Sequence, residues 1–382
     1  MRLFKPKRGE YRAVLGIDAS RANCERRTGI EWYAYHVIQG LKPIVPPDVR
    51  VILYSREPLR DGLEELPLNW SSRVLGWPPR RLWTQLRLSW EMLVRPPDLL
   101  YVPAHVLPPI RPRRSVTTLH DVAFMTERDA YSPHGRIFLA LFTWLAVRWA
   151  DALLTVSEFS KGEIVRLFGA RPERIVVAHL GYDPMEFRSG LDVTETSACL
   201  ERLKIKPPYF LFVGRLETKK NLGLLLRTFS LARNEVDCRL VLAGKRGRGA
   251  EEEFGGLDPR WRDEVLELGY TAAADLPHLY AGALALSFPS RYEGFGIPVV
   301  EAFACGTPVV TLRTTSLGEV GGGAADYAAA ATPEAVAERL VAVARDPELR
   351  RRLSAAGLER AKEFSWGRTA AGVWSAIESF LS

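Results

Sequence analysis

Residues 288–310 read FPSRYEGFGIPVVEAFACGTPVV, and this segment contains the most informative pattern in the chain. The residues before it, 283–288 (ALALSF), and those at its end, 308–310 (PVV), have the apolar character of short buried strands. Between them, Pro298 suits the first turn of a helix and Gly306 suits its C-terminal cap. A strand, a glycine-containing loop, a short helix and a second strand form a parallel crossover, so the segment predicts an α/β fold.

The loop that contains Gly294 and Gly296 predicts an anion site. Glycine lets the backbone approach a ligand, and the start of the following helix offers unpaired N–H groups and the positive end of the helix dipole. Two carboxylates, Glu293 and Glu301, frame the loop. Because a carboxylate accepts hydrogen bonds from vicinal hydroxyls, the pair suits a sugar on one side of the phosphate and a ribose on the other. The alternative is a βαβ unit whose two glutamates only cap and solvate the helix.

A second segment, GRLETKKNL at residues 214–222, follows the apolar strand predicted at 209–213. Its turn is flanked by Arg215 and Lys220, two cations that suit a diphosphate. For Lys219, between them, a solvated charge is the simpler interpretation.

Together these two segments resemble the signatures of glycosyltransferase family 4, E-x7-E within the glycine-loop segment and GRLxxxKN. The resemblance implies two facing Rossmann-like domains of the GT-B fold, and transfer with retention of configuration. It also implies that the reaction needs no metal and no cofactor apart from the GDP- or UDP-linked sugar substrate. In this family Glu293 would contact the transferred sugar and Glu301 the ribose, while Arg215 and Lys220 would stabilise the departing diphosphate.

The resemblance also identifies site residues outside the two carboxylates. The segment TTLHDVAF resembles the family's HD segment, which places His120 against the transferred sugar and makes it catalytic together with Glu293, Arg215 and Lys220. The predicted donor-binding residues are Gly29, Gly214, Gly294, Phe295, Gly296, Ile297, Glu301 and Tyr270. The roles of His105, Arg27 and His179 stay open, since each is equally explained as a structural residue.

The domain organisation follows from shifts in composition. We predict an acceptor-side domain at 1–183, a polar, irregular linker at 184–207 and a nucleotide-sugar-binding domain at 208–364. The final segment, 365–382, is expected to be a helix that crosses back to the first domain.

The charge of the chain is concentrated in its N-terminal half. The net charge is +7, and residues 1–182 hold 27 Lys and Arg against 18 Asp and Glu. Such a basic half suits anionic lipid or a phosphate-bearing acceptor, whereas nucleic acid is disfavoured because no motif of that class is present. The scattered cysteines, the absence of a signal-peptide pattern and the short apolar runs predict a cytoplasmic protein, with peripheral contact at the inner membrane face left open.

The segment 78–95 has two interpretations. It predicts an amphipathic helix with Leu82, Leu86, Trp90 and Leu93 on one face. Its arginines and tryptophans suit a membrane interface. We favour the commoner case, a helix whose apolar face packs on the sheet.

The sequence therefore predicts a hexosyltransferase, with mannose favoured as the sugar. The acceptor would be a saccharide or a polyprenyl-diphosphate-linked molecule in cell-surface polysaccharide synthesis. A nucleotide-sugar epimerase of the same fold is one alternative, but it is not expected to carry both segments. A non-catalytic sugar-binding protein is another, but it would be expected to have lost Arg215, Lys220 or Glu293.

Overall fold

A computed structural model describes residues 11–77 and 82–381 of the chain. The strands are β1 Ala13–Asp18, β2 Val49–Ser55, β3 Trp70–Val74, β4 Leu99–Val102, β5 Arg114–Thr118, β6 Ala152–Thr155, β7 Ile175–Val177, β8 Tyr209–Val213, β9 Arg239–Ala243, β10 Val265–Gly269, β11 Ala285–Phe288, β12 Val309–Leu312 and β13 Asp326–Ala328. The α-helices are α1 Gly29–Leu41, α2 Ser89–Val94, α3 Ala123–Thr126, α4 Pro133–Trp149, α5 Glu158–Phe168, α6 Val193–Arg202, α7 Leu222–Arg233, α8 Ala250–Phe254, α9 Leu276–Gly282, α10 Ile297–Ala304, α11 Leu317–Gly321, α12 Pro333–Arg345, α13 Pro347–Ala361 and α14 Trp366–Glu378. A π-helical turn, Trp83–Leu88, precedes α2, and short 3-10 turns lie at Arg128–Ala130, Pro172–Arg174, Thr218–Lys220, Pro259–Glu264 and Ala273–Asp275.

The strands form two parallel sheets, so the α/β prediction is confirmed. The first sheet has the order β3-β2-β1-β4-β5-β6-β7 and the second the order β10-β9-β8-β11-β12-β13. The central strands β4 and β8 are apolar, and both are buried at every position. Continuous apolar strands of this kind need helices on both faces of the sheet, and the alternation of strands and helices along the chain supplies them.

The described residues divide into two compact units. The N-terminal unit contains the residues up to 125, residues 133–180 and those from 366 onward, and the C-terminal unit contains 126–132 and 181–365. Helix α14 belongs to the N-terminal unit, where it packs on α1 so closely that a Cβ on Gly40 would lie 2.6 Å from that of Ala370.

The segment 184–207 contains a helix, where the sequence predicts an irregular linker. Helix α6 begins after Asp192, whose side chain accepts hydrogen bonds from the backbone N–H groups of Thr194 and Glu195 at 2.7 and 3.0 Å. It packs beside α9 in the C-terminal unit, where Arg202 pairs with Asp275 at 2.5 Å. The sequence of this segment resembles that of a linker because only Cys199 and Leu200 of the helix are buried, so most of its residues are polar.

The segment 78–95 also differs from its prediction; residues 78–81 of it lie outside the described residues. Leu82, Leu86, Trp90 and Leu93 are exposed, so the interpretation of a core-facing apolar stripe is wrong. The buried apolar side chains are instead Trp83, Leu88 and Met92, spaced by five and then four residues. The π-helical turn causes this shift, since its i→i+5 hydrogen bonding moves the register away from the regular helical spacing.

Across the described ranges, none of the helices combines the length and the apolar character that crossing a bilayer requires.

Candidate functional site

The candidate site of the C-terminal unit lies at the carboxyl edge of its sheet. Strand β8 has β9 on one side and β11 on the other, so the connections after β8 and β11 leave in opposite directions. Ligands of open α/β sheets bind at such a switch point, outside the carboxyl ends of the strands. The two segments singled out by the sequence, 214–222 and 289–296, both begin at this edge.

Glycines allow the loops after β8 and β9 to approach each other. Gly214 and Gly244 have φ of +142° and +159°, and a Cβ on Gly244 would lie 1.9 Å from the carbonyl oxygen of Gly214. The close packing of the two backbones therefore requires glycine at position 244, directly against Gly214, a predicted donor-site residue.

An ion pair joins the two segments. The Nζ of Lys220 lies 2.5 Å from Oε1 of Glu293, and the Glu293 side chain is only 8% exposed. Asn221 fixes the turn that carries Lys220, because its backbone is left-handed, with φ of +60°, and its Nδ2 donates to the carbonyl of Pro289 at 3.1 Å. The geometry therefore brings together a cation and a carboxylate that are separated by 73 residues in the sequence.

Arg215 differs from Lys220 in lacking a polar partner among residues 11–77 and 82–381. Its side chain is exposed, and within the part of the chain that the structure describes it makes no hydrogen bond or ion pair. Its guanidinium, with five donors, is thus available to a planar, multiply charged anion such as a phosphate.

The glycine loop is held by hydroxyl groups from a third segment. Gly296 precedes α10 with φ of +105°, and a Cβ there would lie 2.9 Å from Cδ2 of Leu317. The Oγ of Ser316 donates to the carbonyls of Glu293 and Phe295, both at 2.9 Å, and Thr315 Oγ1 accepts from the backbone N–H of Glu293 at 3.3 Å. These bonds fix the loop around Gly294, which leads into α10 at Ile297.

Thr315 and Ser316 were missed as site residues by the sequence analysis. Their signal in the sequence is a run of three hydroxyl residues, TTS at 314–316, of which Thr315 and Ser316 are the last two, between β12 and α11. Hydroxyls are common in loops, so this signal acquires meaning only when the fold brings the pair beside Glu293.

Glu301 lies about one turn into α10 and is paired with an aromatic hydroxyl. The OH of Tyr280 donates to its Oε2 at 2.8 Å. Desolvation raises the pKa of Glu301 to about 7, although the Tyr280 bond opposes this shift. Tyr280, which is fully buried, is a third residue that the sequence analysis missed, since an apolar helix such as α9 gives no hint of a polar contact.

Tyr270 follows β10 at the same edge of the sheet. Its side chain is 58% exposed, and the Nζ of Lys245 lies 5.3 Å from the centroid of its ring. Gly269, with φ of +67°, makes the turn that presents the ring to solvent. An exposed aromatic face beside a cation suits stacking with a planar heterocycle.

His120 and Gly29 lie in the other unit. His120 follows β5 and is 9% exposed; its ring lies 4.6 Å from that of Tyr33, perpendicular to it. Its Nε2 is 3.3 Å from the carbonyl of Pro103, which can only accept, so Nε2 carries the proton. Burial lowers the pKa of His120 to about 3, which keeps the imidazole neutral.

The contacts of His120 indicate a structural role for His105. The backbone N–H of His120 donates to Nε2 of His105 at 3.1 Å, so His105 holds the end of the strand. Beneath His120, the hydroxyls of Tyr33, Tyr101 and Thr118 lie 3.0–3.1 Å from one another. This buried triangle supports the ring from below.

The loop between β1 and α1 gives Gly29 and Arg27 different positions. Gly29 is the first residue of α1, and a Cβ there would meet open space, so the helix start is accessible. Arg27 is engaged by protein groups: it pairs with Asp61 at 2.8 Å, donates to the carbonyl of Ala22 at 2.8 Å and lies 4.4 Å over the ring of Tyr35. These contacts give Arg27 a structural role in the loop.

No group of three or more His, Cys, Asp or Glu side chains is arranged to hold a metal ion within residues 11–77 and 82–381. Among the predicted site residues of the C-terminal unit, the structure shows Lys220 and Glu293 in contact. Gly214 and Arg215 follow β8, the glycine loop follows β11 and Tyr270 follows β10.

Comparison with known proteins finds two families that match the chain. Residues 200–360 match glycosyl transferases group 1, and residues 27–186 match glycosyltransferase family 4. The O-antigen chain mannosyltransferase B of Escherichia coli is 34% identical over 278 residues, which cover 70% of this chain and 71% of that protein. A D-inositol 3-phosphate glycosyltransferase of Xylanimonas cellulosilytica is 32% identical over 275 residues, covering 68% of this chain and 64% of that one.

Among solved structures, Anabaena HepE in complex with UDP-glucose superposes with a TM-score of 0.72 at 18% identity. The match covers 96% of this chain and 99% of that one. At this identity the likeness concerns the fold alone.

Proposed function

We propose that this chain, which belongs to the group 1 glycosyl transferases of glycosyltransferase family 4, transfers a hexose with retention of configuration and without a metal. The donor is a nucleotide-diphosphate sugar. Mannose is favoured, in line with the name of the E. coli relative. The acceptor is a saccharide or a polyprenyl-diphosphate-linked molecule in cell-surface polysaccharide synthesis.

One observation carries this proposal: Nζ of Lys220 lies 2.5 Å from Oε1 of Glu293 at the switch point of the C-terminal sheet, on the two loops that also carry Arg215 and the helix start at Gly296. A cation beside a carboxylate is needed where a diphosphate departs from a sugar. The carboxylate accepts from sugar hydroxyls, and the cations take up the negative charge that grows on the diphosphate oxygen as its bond to the anomeric carbon breaks.

The remaining residues have positioning roles in the proposal. Backbone N–H groups of Gly294–Ile297 receive the diphosphate, Glu301 accepts from the ribose hydroxyls, and Tyr270 stacks with the base. Because the positive charge comes from Arg215 and Lys220, the departing diphosphate is neutralised by side chains.

His120 acts as a neutral group. With a pKa near 3 it is a poor proton acceptor at physiological pH, so we assign it hydrogen bonding and shape at the sugar, not general-base catalysis. Gly29 keeps the start of α1 open to a phosphate-bearing ligand.

The excess of basic residues in the N-terminal half supports binding of the protein to an anionic membrane surface. We place the protein in the cytoplasm with peripheral contact at the inner membrane face, where a lipid-linked acceptor would be presented.

The test is thermal stabilisation of the full chain by a panel of nucleotides and nucleotide sugars without added metal. A ligand that binds only the native state raises Tm with its concentration. We expect GDP or UDP and one cognate sugar to stand out, and Arg215→Ala to abolish the shift. Arg260→Ala is the matched control, since Arg260 pairs with Asp258 outside the site. If none of the nucleotides raises Tm, the donor site is refuted. Unaltered transfer by Glu293→Ala would refute the role of that carboxylate.

A further inference from the structure

Two helices of the N-terminal unit present large apolar side chains to solvent. The first runs from the π-helical turn into α2 and the second is α4. The exposed side chains are Leu82, Leu86, Trp90, Leu93, Val94, Ile137, Phe138, Leu141 and Trp144. We call these nine residues, together with the exposed Ile110, the apolar face.

The topology puts both helices on the same side of the sheet. In the order β3-β2-β1-β4-β5-β6-β7, the connections β3 to β4 and β5 to β6 advance across the sheet in the same direction. Parallel crossovers are right-handed in nearly all proteins, so the helices of two such connections cover the same side. Helix α1 connects β1 to β2 in the opposite direction and therefore lies on the other side.

A loop joins the two helices physically. The backbone N–H of Ile110 donates to Oγ of Ser89 at 3.4 Å, and the guanidinium of Arg111 lies 4.5 Å from the ring of Trp149. Residues 110 and 111 therefore lie between the start of α2 and the end of α4.

Helix α4 contributes few buried side chains to the core. Only Thr143, Ala146 and Val147 of its 17 residues are buried, although its sequence is mainly apolar. The exposed residues recur along it as a stripe, 137, 138, 141 and 144, that points away from the sheet. An exposed apolar stripe of this kind marks an interaction surface.

Within the three segments that carry the apolar face, the exposed charges have one sign. Segments 107–114 and 133–149 hold no acidic residue, and within 82–95 the single acid, Glu91, is buried and paired with Arg73 and Arg87 at 2.5 and 3.3 Å. The basic residues on or beside the face are Arg87, Arg95, Arg111, Arg113, Arg136 and Arg148. A rim with this charge attracts an anionic surface and repels a second copy of itself.

We propose that the apolar face is a docking surface for anionic lipid bilayers, with Trp90 and Trp144 inserted at the boundary between headgroups and acyl chains. An apolar stripe with tryptophans and an arginine rim is the chemistry that lies in such an interface. The proposal deepens the proposed function and rests on it for its biological use, since a lipid-linked acceptor would be reached from this surface.

The experiment is co-sedimentation of the full chain with vesicles of phosphatidylglycerol and phosphatidylethanolamine, and with vesicles of phosphatidylcholine alone. Trp90→Ser combined with Trp144→Ser should lower partitioning onto the anionic vesicles by about tenfold or more. The control combines Leu68→Ser with Met185→Ser, two residues that are exposed at 105% and 83% but lie outside the face. These should leave partitioning unchanged. At about 1 M NaCl, where the Debye length is about 3 Å, a measurable part of the binding should persist because insertion is apolar.

Three results would overturn the proposal. The first is equal partitioning of the Trp90/Trp144 variant and the control; the second is loss of all binding in high salt, which shows attraction by charge alone. The third is a wild-type dimer in sedimentation analysis that the Trp90/Trp144 variant dissolves, which assigns the face to a second copy. Thermal stabilisation by nucleotides is measured on the same variants. If nucleotides do not raise the Tm of the wild-type chain, the proposed function is refuted, whereas the result on lipid binding stays valid.

Discussion

At the scale of single residues, Lys220 and Arg215 carry the same charge in different settings. Lys220 neutralises a carboxylate that is nearly buried, whereas Arg215 is exposed and has no partner among the described residues. Removing either should harm the binding of a diphosphate, but only the loss of Lys220 leaves a desolvated charge uncompensated.

We therefore expect Lys220→Ala to lower both the free energy of unfolding, by about 1–3 kcal/mol, and the transfer rate. Arg215→Ala should change the free energy of unfolding by no more than about 0.5 kcal/mol and lower kcat by about 100-fold or more. Urea unfolding and steady-state kinetics measure the two effects. Lys219→Ala is the control, since Lys219 precedes Lys220 in the same turn and its Nζ lies 5.8 Å from the centroid of the Tyr292 ring. Equal stability of the Lys219 and Lys220 variants would contradict the structural role of the pair.

Glu301 should make donor binding sensitive to pH. Its pKa is raised to about 7 in the folded chain by desolvation, and the ribose hydroxyls need its ionised form as an acceptor. Nucleotide affinity should fall as the pH decreases through about 7, by up to tenfold per pH unit, and Glu301→Gln should abolish this dependence. Titration calorimetry between about pH 5.5 and about pH 8.5 measures this pH dependence of nucleotide affinity. If the affinity of Glu301→Gln also changes with pH, the effect belongs to another group.

The same carboxyl should affect stability with a defined sign. Since its folded pKa is above the unfolded one, the protonated form is favoured by the folded chain. Its contribution to stability is present below the unfolded pKa and is lost as the pH rises through about 7. In Glu301→Gln this loss should be absent, so the variant's Tm should fall less than that of the wild-type chain over the same interval.

At the scale of elements, the π-helical turn decides which tryptophan is inside. Trp83 is 1% exposed and its Nε1 donates to the carbonyl of Leu75 at 2.9 Å, whereas Trp90 is 60% exposed. The two residues lie seven positions apart, a spacing that would put them on the same face of a regular α-helix.

Trp83→Ala should therefore destabilise the chain by about 3–5 kcal/mol, since it opens a cavity and removes a buried hydrogen bond. Trp90→Ala, the matched control on the same segment, should change the free energy of unfolding by no more than about 0.5 kcal/mol. Chemical denaturation of both variants gives the comparison. A large loss in Trp90→Ala would contradict the register set by the π-helical turn.

At the scale of the whole molecule, the last helix of the chain, α14, belongs to the N-terminal unit. Helix α14 packs on α1, and its Thr369 donates to the carbonyl of His179 at 2.6 Å. Three of its apolar side chains, Val373, Trp374 and Ile377, are buried in the N-terminal unit.

Gly40→Ala tests this arrangement without deleting any residue, because the new Cβ would lie 2.6 Å from that of Ala370. We expect it to destabilise by about 1–3 kcal/mol and to speed amide hydrogen exchange in α1, α14 and β7. Exchange in β8–β13 should not change. Gly162→Ala is the control, as a Cβ there meets open space; faster exchange throughout the chain in Gly40→Ala would show that the effect is not confined to this unit.

The family and the α/β GT-B fold class were predictable from the sequence, and both predictions are confirmed. They depend on short-range features: apolar strands of four to six residues, prolines and glycines at helix ends, and cations and carboxylates at fixed spacing. Such features are complete within about twenty residues, so they can be read without knowing the rest of the chain. The roles of His120, Glu293, Glu301, Arg215 and Lys220 stay predictions for the experiments above.

Long-range contacts settled what local patterns left open. Thr315, Ser316 and Tyr280 became site residues because distant segments fold beside Glu293 and Glu301. The π-helical turn reversed which side chains of 82–94 face water, and α4 was left with an apolar stripe that the core does not cover. Local sequence specifies what a helix offers to its surroundings; which of its faces is covered depends on the strands and helices that pack against it.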